Sequence, residues 1–147
     1  MKLRLAAGIF VTAVACDLLS KEWAVAHGDV VIFNDRSSQL PLRVLFAFLA
    51  VGVALGLGRL AELRGLGPQW GLWIGTPLLV AGTLANGISS LLWRDGVPDF
   101  IRVGGGWAWD VADFEIAVGL TGALLSVAVG AVVVYVREKA TPTQVTE

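Results

Sequence analysis

The sequence predicts an all-α membrane protein, a four-transmembrane-helix bundle with a small extracytoplasmic loop region. Three observations carry this expectation. Of 147 residues, 56% are apolar and only 16% are charged, where soluble domains carry about 45–50% and about 25%. The mean hydropathy is +0.73. The apolar residues also gather into four segments, each near the roughly 20 residues that a bilayer crossing needs. Residues 1–140 therefore read as a single four-helix membrane domain and residues 141–147 as a disordered cytoplasmic tail.

The first apolar segment, residues 5–26, follows Lys2 and Arg4 and is interrupted by Asp17, Lys21 and Glu22. Its stretch ending Ala13-Val14-Ala15-Cys16 also reads as a signal peptide with a lipobox-like end. Three more spans follow it instead of an exported soluble domain, so an uncleaved first helix is the expectation. The second segment, residues 44–58, is free of charge between Arg43 and Arg59. It is short, but arginine stems can reach the interface and lengthen it. The third, residues 70–93, contains no charge and has tryptophan at both ends, where an aromatic belt would place it. The fourth, residues 116–136, is closed by Arg137, Glu138 and Lys139. Between them lie a polar loop at 27–41, a short one at 59–69 and a glycine-rich one at 94–108. Gly52 and Gly56, and again Gly71 and Gly75, are four apart and would permit close helix contacts.

Four spans put both termini on one side. That side holds Lys2, Arg4, Arg59, Arg64, Arg137 and Lys139; the other holds Lys21, Arg36, Arg43, Arg94 and Arg102, with nine acids. Arg59 and Arg64 in the short middle loop favour cytoplasmic termini. The acids then belong to the outer face.

Several function classes are excluded. The net charge is -1 and there is no Lys/Arg run, so no nucleic-acid partner is expected. One cysteine, Cys16, excludes an internal disulfide, and one histidine, His27, leaves no Cys/His zinc cluster. Cys16 has no base near it in sequence, and His27 has no convincing serine partner. Gly104-Gly105-Gly106 lacks the Lys and Ser/Thr of a phosphate loop.

Charges at membrane depth cost about 2.5–3.5 kcal/mol each on insertion scales and are functional suspects by default. Asp17 and Lys21 are four apart and share a helix face; a structural ion pair is the plain reading. Asp95 and Asp99 follow the third segment, and Asp110 and Asp113 enter the fourth. Asp110 reads as an N-cap, which does not account for Asp113 and Glu115 at the edge of the hydrocarbon. Two carboxylates close together at a partly dry site share a proton, leaving one free to act as a base on water; the spacing permits this. Asn86 needs partners in lipid and should face the bundle, with Ser89 or Ser90 beside it.

Taken in order, these residues resemble the lipoprotein signal peptidase family, the type II signal peptidases of bacteria. Asp17-Leu18-Leu19-Ser20-Lys21 looks like its Asp-x-x-Ser/Thr-Lys box, and Gly96-Val97-Pro98-Asp99-Phe100-Ile101 resembles its catalytic Asp-Phe box. Trp109-Asp110-Val111-Ala112-Asp113 resembles its aromatic-Asn-x-Ala-Asp box, with aspartate at 110 where the family has asparagine. The family's Asn-x-x-Asp-Arg stretch is met by Asn86 with Ser89 and Ser90, and its Asn-x-Gly-x-Ala-Phe box only by a remnant at Asn34.

The resemblance implies a four-helix aspartic endopeptidase of the bacterial plasma membrane. It would remove signal peptides just before a diacylglyceryl-modified cysteine, using no metal or other cofactor. It implies Asp99 and Asp113 as the catalytic pair, with Asp17, Lys21, Asn86, Asp110 and Asn34 supporting the helix ends and the substrate. The expected partners are lipidated prolipoproteins and membrane lipids, and the expected state is a monomer. Ser89 and Ser90 raise an alternative, a non-catalytic homologue that binds signal peptides or lipopeptides. A proton carrier is disfavoured because the acids cluster at one face instead of crossing the bilayer. Asp110→Asn, which restores the family's residue, is expected to be tolerated.

Overall fold

The computed structural model describes residues 2–28, 31–34, 36–66, 70–105 and 107–140. In chain order the elements are α1 (Lys2–His27), β1 (Ile32–Asn34), α2 (Arg36–Leu63), α3 (Trp70–Leu92), β2 (Val97–Asp99), β3 (Ile101–Gly104), β4 (Trp107–Trp109) and α4 (Val111–Ala140). All four helices are long and apolar enough to cross a membrane, through Leu3–His27, Pro41–Leu63, Trp70–Leu92 and Val111–Ala140. The chain is a multi-pass membrane protein. Residues 141–147, read as a tail, lie outside the described residues.

The helices are longer than the apolar runs that announce them. α2 begins at Arg36, inside the stretch read as a polar loop, and α4 begins at Val111 and runs to Ala140. Hydropathy detects only the part of a helix that meets hydrocarbon. Turns beyond it satisfy their backbone internally and tolerate polar residues. α1 runs unbroken through Cys16.

α3 is the centre of the bundle and carries the largest set of buried positions, among them Leu72, Gly75, Leu79, Ala81, Thr83, Ala85, Ser89 and Ser90. Small residues let α4 approach it. A Cβ at Gly75 would stand 2.5 Å from the Gly119 carbonyl oxygen, and one at Gly71 2.6 Å from the Ser126 Cβ. The expectation for Gly71 and Gly75 is thus met, while that for Gly52 and Gly56 is not: a Cβ at either meets nothing within 4 Å. Those two glycines lie on outward-facing parts of α2. Phe48 on α2 and Val118 and Val129 on α4 are likewise exposed, as suits side chains that face lipid.

The glycine-rich loop after α3 is ordered into strands too short to show alternation. β2 pairs antiparallel with β1, setting Ile32 opposite Asp99 and Asn34 opposite Val97. β3 pairs antiparallel with β4. The chain leaves α3 through a turn in which the Gly96 N–H donates to the Trp93 carbonyl at 3.3 Å. Gly96 adopts φ 120°, a conformation that side-chain-bearing residues rarely adopt. This turn folds β2 back against the helix ends, and all three of its residues are buried.

Candidate active site

Six elements (α1, β1, α2, α3, β2 and α4) converge at the end of the bundle where α1 and α3 finish and α4 begins. Lys21, on the last turns of α1, is fully enclosed. Its ammonium offers three protons, and three hydrogen bonds take them: to Asp17 Oδ2 at 2.7 Å, Asn86 Oδ1 at 2.8 Å and Ser89 Oγ at 3.0 Å. Asp110 Oδ2 lies 2.7 Å from the same nitrogen as a second ion pair. The expected Asp17–Lys21 pair is present, and it is the hub of a larger network.

The N-terminus of α4 is held by three carboxylates. Asp110 Oδ1 accepts the Asp113 N–H at 2.9 Å, and Asp113 Oδ2 accepts the Asp110 N–H at 3.2 Å. This is a reciprocal capping box with aspartate in both places. Asp17 Oδ1 accepts the Ala112 N–H at 2.9 Å, so an acid of α1 also satisfies an orphan donor of α4. Asp113 Oδ1 is free of the cap and accepts from Asn86 Nδ2 at 3.2 Å.

Asp99, at the end of β2, is only 3% exposed and accepts a hydrogen bond from Asn34 Nδ2 across the β1–β2 pair. One carboxylate oxygen from each of Asp99, Asp110 and Asp113 lies within 4.8 Å of the other two. Desolvation pushes the Asp99 carboxyl up to about 7; the charges of Asp110 and Asp113 add to this, while Lys21 and Arg43 oppose it. The three acids could offer oxygens to a cation, but Lys21 already supplies positive charge at Asp110.

Asp99 and Asp113 face a cavity of about 640 Å³ between α2, α3 and α4. Its walls are largely apolar, including Phe46, Leu49 and Val53 of α2, Leu79 of α3, and Ile116 and Leu120 of α4; Asn34, Arg43 and Asn86 supply polar groups. Its volume lies in the range of ligand sites, about 300–1,000 Å³. Asp17, Lys21 and Asp110 do not line it.

The structure brings together the residues that the resemblance implies for the site, in two layers. Asn34, Asn86, Asp99 and Asp113 face the cavity, and Asp17, Lys21 and Asp110 stand behind them. Ser89 belongs to the Lys21 network, while Ser90 Oγ turns back to the Gly87 carbonyl at 2.6 Å. Glu115 is not part of the pair: it packs near Gly82, away from the cavity lining. Sequence reasoning missed Arg43, which it placed at the edge of a span. Arg43 faces Asp99, Asp110 and Asp113 from α2. The available signal was its position directly before a charge-free run.

Among known families, the model described as Signal peptidase (SPase) II matches residues 25–130, well over half of the chain. The match takes in Asn34, Asn86, Asp99, Asp110 and Asp113 and begins after the Asp17–Lys21 pair. No curated protein matches the chain.

Proposed function

The chain belongs to the signal peptidase II family, and from that membership we propose that it is a membrane aspartic endopeptidase that removes signal peptides from diacylglyceryl-modified bacterial prolipoproteins. One observation supports this above the rest: Asp99 and Asp113 stand together, within 4.8 Å, on a largely apolar cavity. The protein would work as a monomer in the bacterial plasma membrane, with both termini cytoplasmic and the site at the outer face.

In this reading the pair shares one proton, since two adjacent carboxylates in a partly dry site do not both ionise easily. Asp99 carries that proton, in keeping with its raised pKa. Asp113, which accepts N–H groups on both oxygens, is the base. It takes a proton from water as the water oxygen bonds to the carbonyl carbon preceding the lipidated cysteine. Asp99 gives its proton to the carbonyl oxygen. The tetrahedral intermediate then collapses: the C–N bond breaks as Asp113 passes the proton it took from water to the leaving amine, and Asp99 regains a proton from the diol hydroxyl as the carboxyl product forms. The apolar walls receive the signal-peptide helix and the lipid chains, and Asn34, Arg43 and Asn86 orient the substrate backbone.

The direct test is to incubate purified protein with a diacylated prolipoprotein peptide and look for the released signal peptide. Binding without release would favour the non-catalytic reading.

A further inference from the structure

Asp110 makes two different interactions, and only one of them needs a charge. Its Oδ1 accepts the Asp113 N–H at 2.9 Å, a capping bond that asparagine makes as well as aspartate. Its Oδ2 lies 2.7 Å from Lys21 Nζ, with both side chains fully enclosed. Lys21 continues to Asn86 Oδ1 at 2.8 Å, and Asn86 Nδ2 continues to Asp113 at 3.2 Å. Asp110 thus reaches Asp113 by two routes, directly through the cap and indirectly through Lys21 and Asn86.

We propose that Asp110 is a positioning residue, whose charge, paired with Lys21, ties α1 to the first turn of α4 and holds Asp113 opposite Asp99. A residue acting as a cap alone would accept asparagine. A counter-charge would not, because a buried ammonium loses more when one partner is neutralised than a surface ion would. The requirement is for a second carboxylate at Lys21, beside that of Asp17, and α3 offers another place for it: Ser89 Oγ lies 3.0 Å from the same nitrogen. Moving the acid from position 110 to position 89 keeps the charge and replaces the cap with another good one.

The test compares the parent protein with Asp110→Asn, Ser89→Asp and the double variant, all purified in detergent. The readouts are the thermal unfolding midpoint and the cleavage rate of a diacylated prolipoprotein peptide as a function of pH. Asp110→Asn should lower the midpoint by several degrees and cleavage by roughly tenfold, and the double variant should regain most of both, as expected of two coupled sites. Ser89→Asp alone, with three carboxylates on one ammonium, should fall below the parent. The alkaline limb of the Asp110→Asn profile should move to lower pH. Asp99 then loses one of the two acids facing it from the start of α4, the cap residue Asp110, while Asp113, Lys21 of α1, Arg43 of α2 and Asn34 of β1 remain.

Parent-like behaviour of Asp110→Asn, or a double variant no better than Asp110→Asn, overturns the proposal. The cleavage readout rests on the peptidase reading, but the midpoints do not. A parent that cuts nothing would count against that reading and leave the midpoints to decide this one.

Discussion

Asn86 joins Lys21, in the layer behind the cavity, to Asp113 in front of it. Its Nδ2 donates to Asp113 Oδ1 at 3.2 Å while its Oδ1 accepts from Lys21 at 2.8 Å, so one amide orients a member of the acid pair and satisfies the ammonium behind it. Asn86→Ala should cost about 1–3 kcal/mol of stability by leaving enclosed polar groups without their partner. Cleavage should fall by more than this loss of stability explains. Denaturation in detergent and cleavage by the folded fraction, measured together, check both expectations.

Stability should depend on pH through Asp99. Its carboxyl is raised from 3.8 to about 7 in the folded protein. Between those values the native state holds a proton that the unfolded chain has released, so stability falls as pH rises through the interval. The contribution is fully present below 3.8 and lost above about 7. Asp99→Asn should flatten this part of the dependence, which thermal melts across the interval would show.

The α3–α4 contact should tolerate no added volume. A side chain at Gly75 would collide with the Gly119 carbonyl oxygen and with Ala123, whereas one at Gly52 meets open space. Gly75→Leu should destabilise by about 1–3 kcal/mol or more, as overpacking does. Gly52→Leu should change the unfolding midpoint little.

A topology reporter after Arg137 should be cytoplasmic. The outer reporter belongs at Gly105, directly after β3. Residues 36–39, which the sequence places in a polar loop, are already part of α2 and offer no loop for an insertion. An external signal from Gly105 and a cytoplasmic one from the C-terminal end would place Asp99 and Asp113 at the outer face. The reverse would remove the case for processing exported proteins.

The four spans were legible because hydrocarbon imposes a length and a composition on each of them. The start of α2 was not, since Arg36, Ser37, Ser38 and Gln39 carry no apolar signal. β1–β4 were not either, being three or four residues long. Within the site, the capping role of Asp110 was readable from local spacing, but its pairing with Lys21 joins helices far apart in the chain. On the proposal above, that pairing makes Asp110→Asn costly, where local spacing and the family pattern alone lead one to expect it to be tolerated. It also connects two departures from the family pattern that look unrelated in sequence: Asp110 stands in place of asparagine and Ser89 in place of aspartate, and both meet at the Lys21 Nζ.

The central claim is that Asp99 and Asp113 cut the substrate as a pair. The most direct measurement is release of the signal peptide from a diacylated prolipoprotein peptide by the parent protein, Asp99→Asn and Asp113→Asn, with peptide binding measured in parallel. The parent should cut, and each variant should lose at least about a thousandfold in rate, because members of a catalytic unit fail together. Binding should survive, since neither change opens a cavity or removes an apolar contact. Variants that cut as fast as the parent would contradict the account.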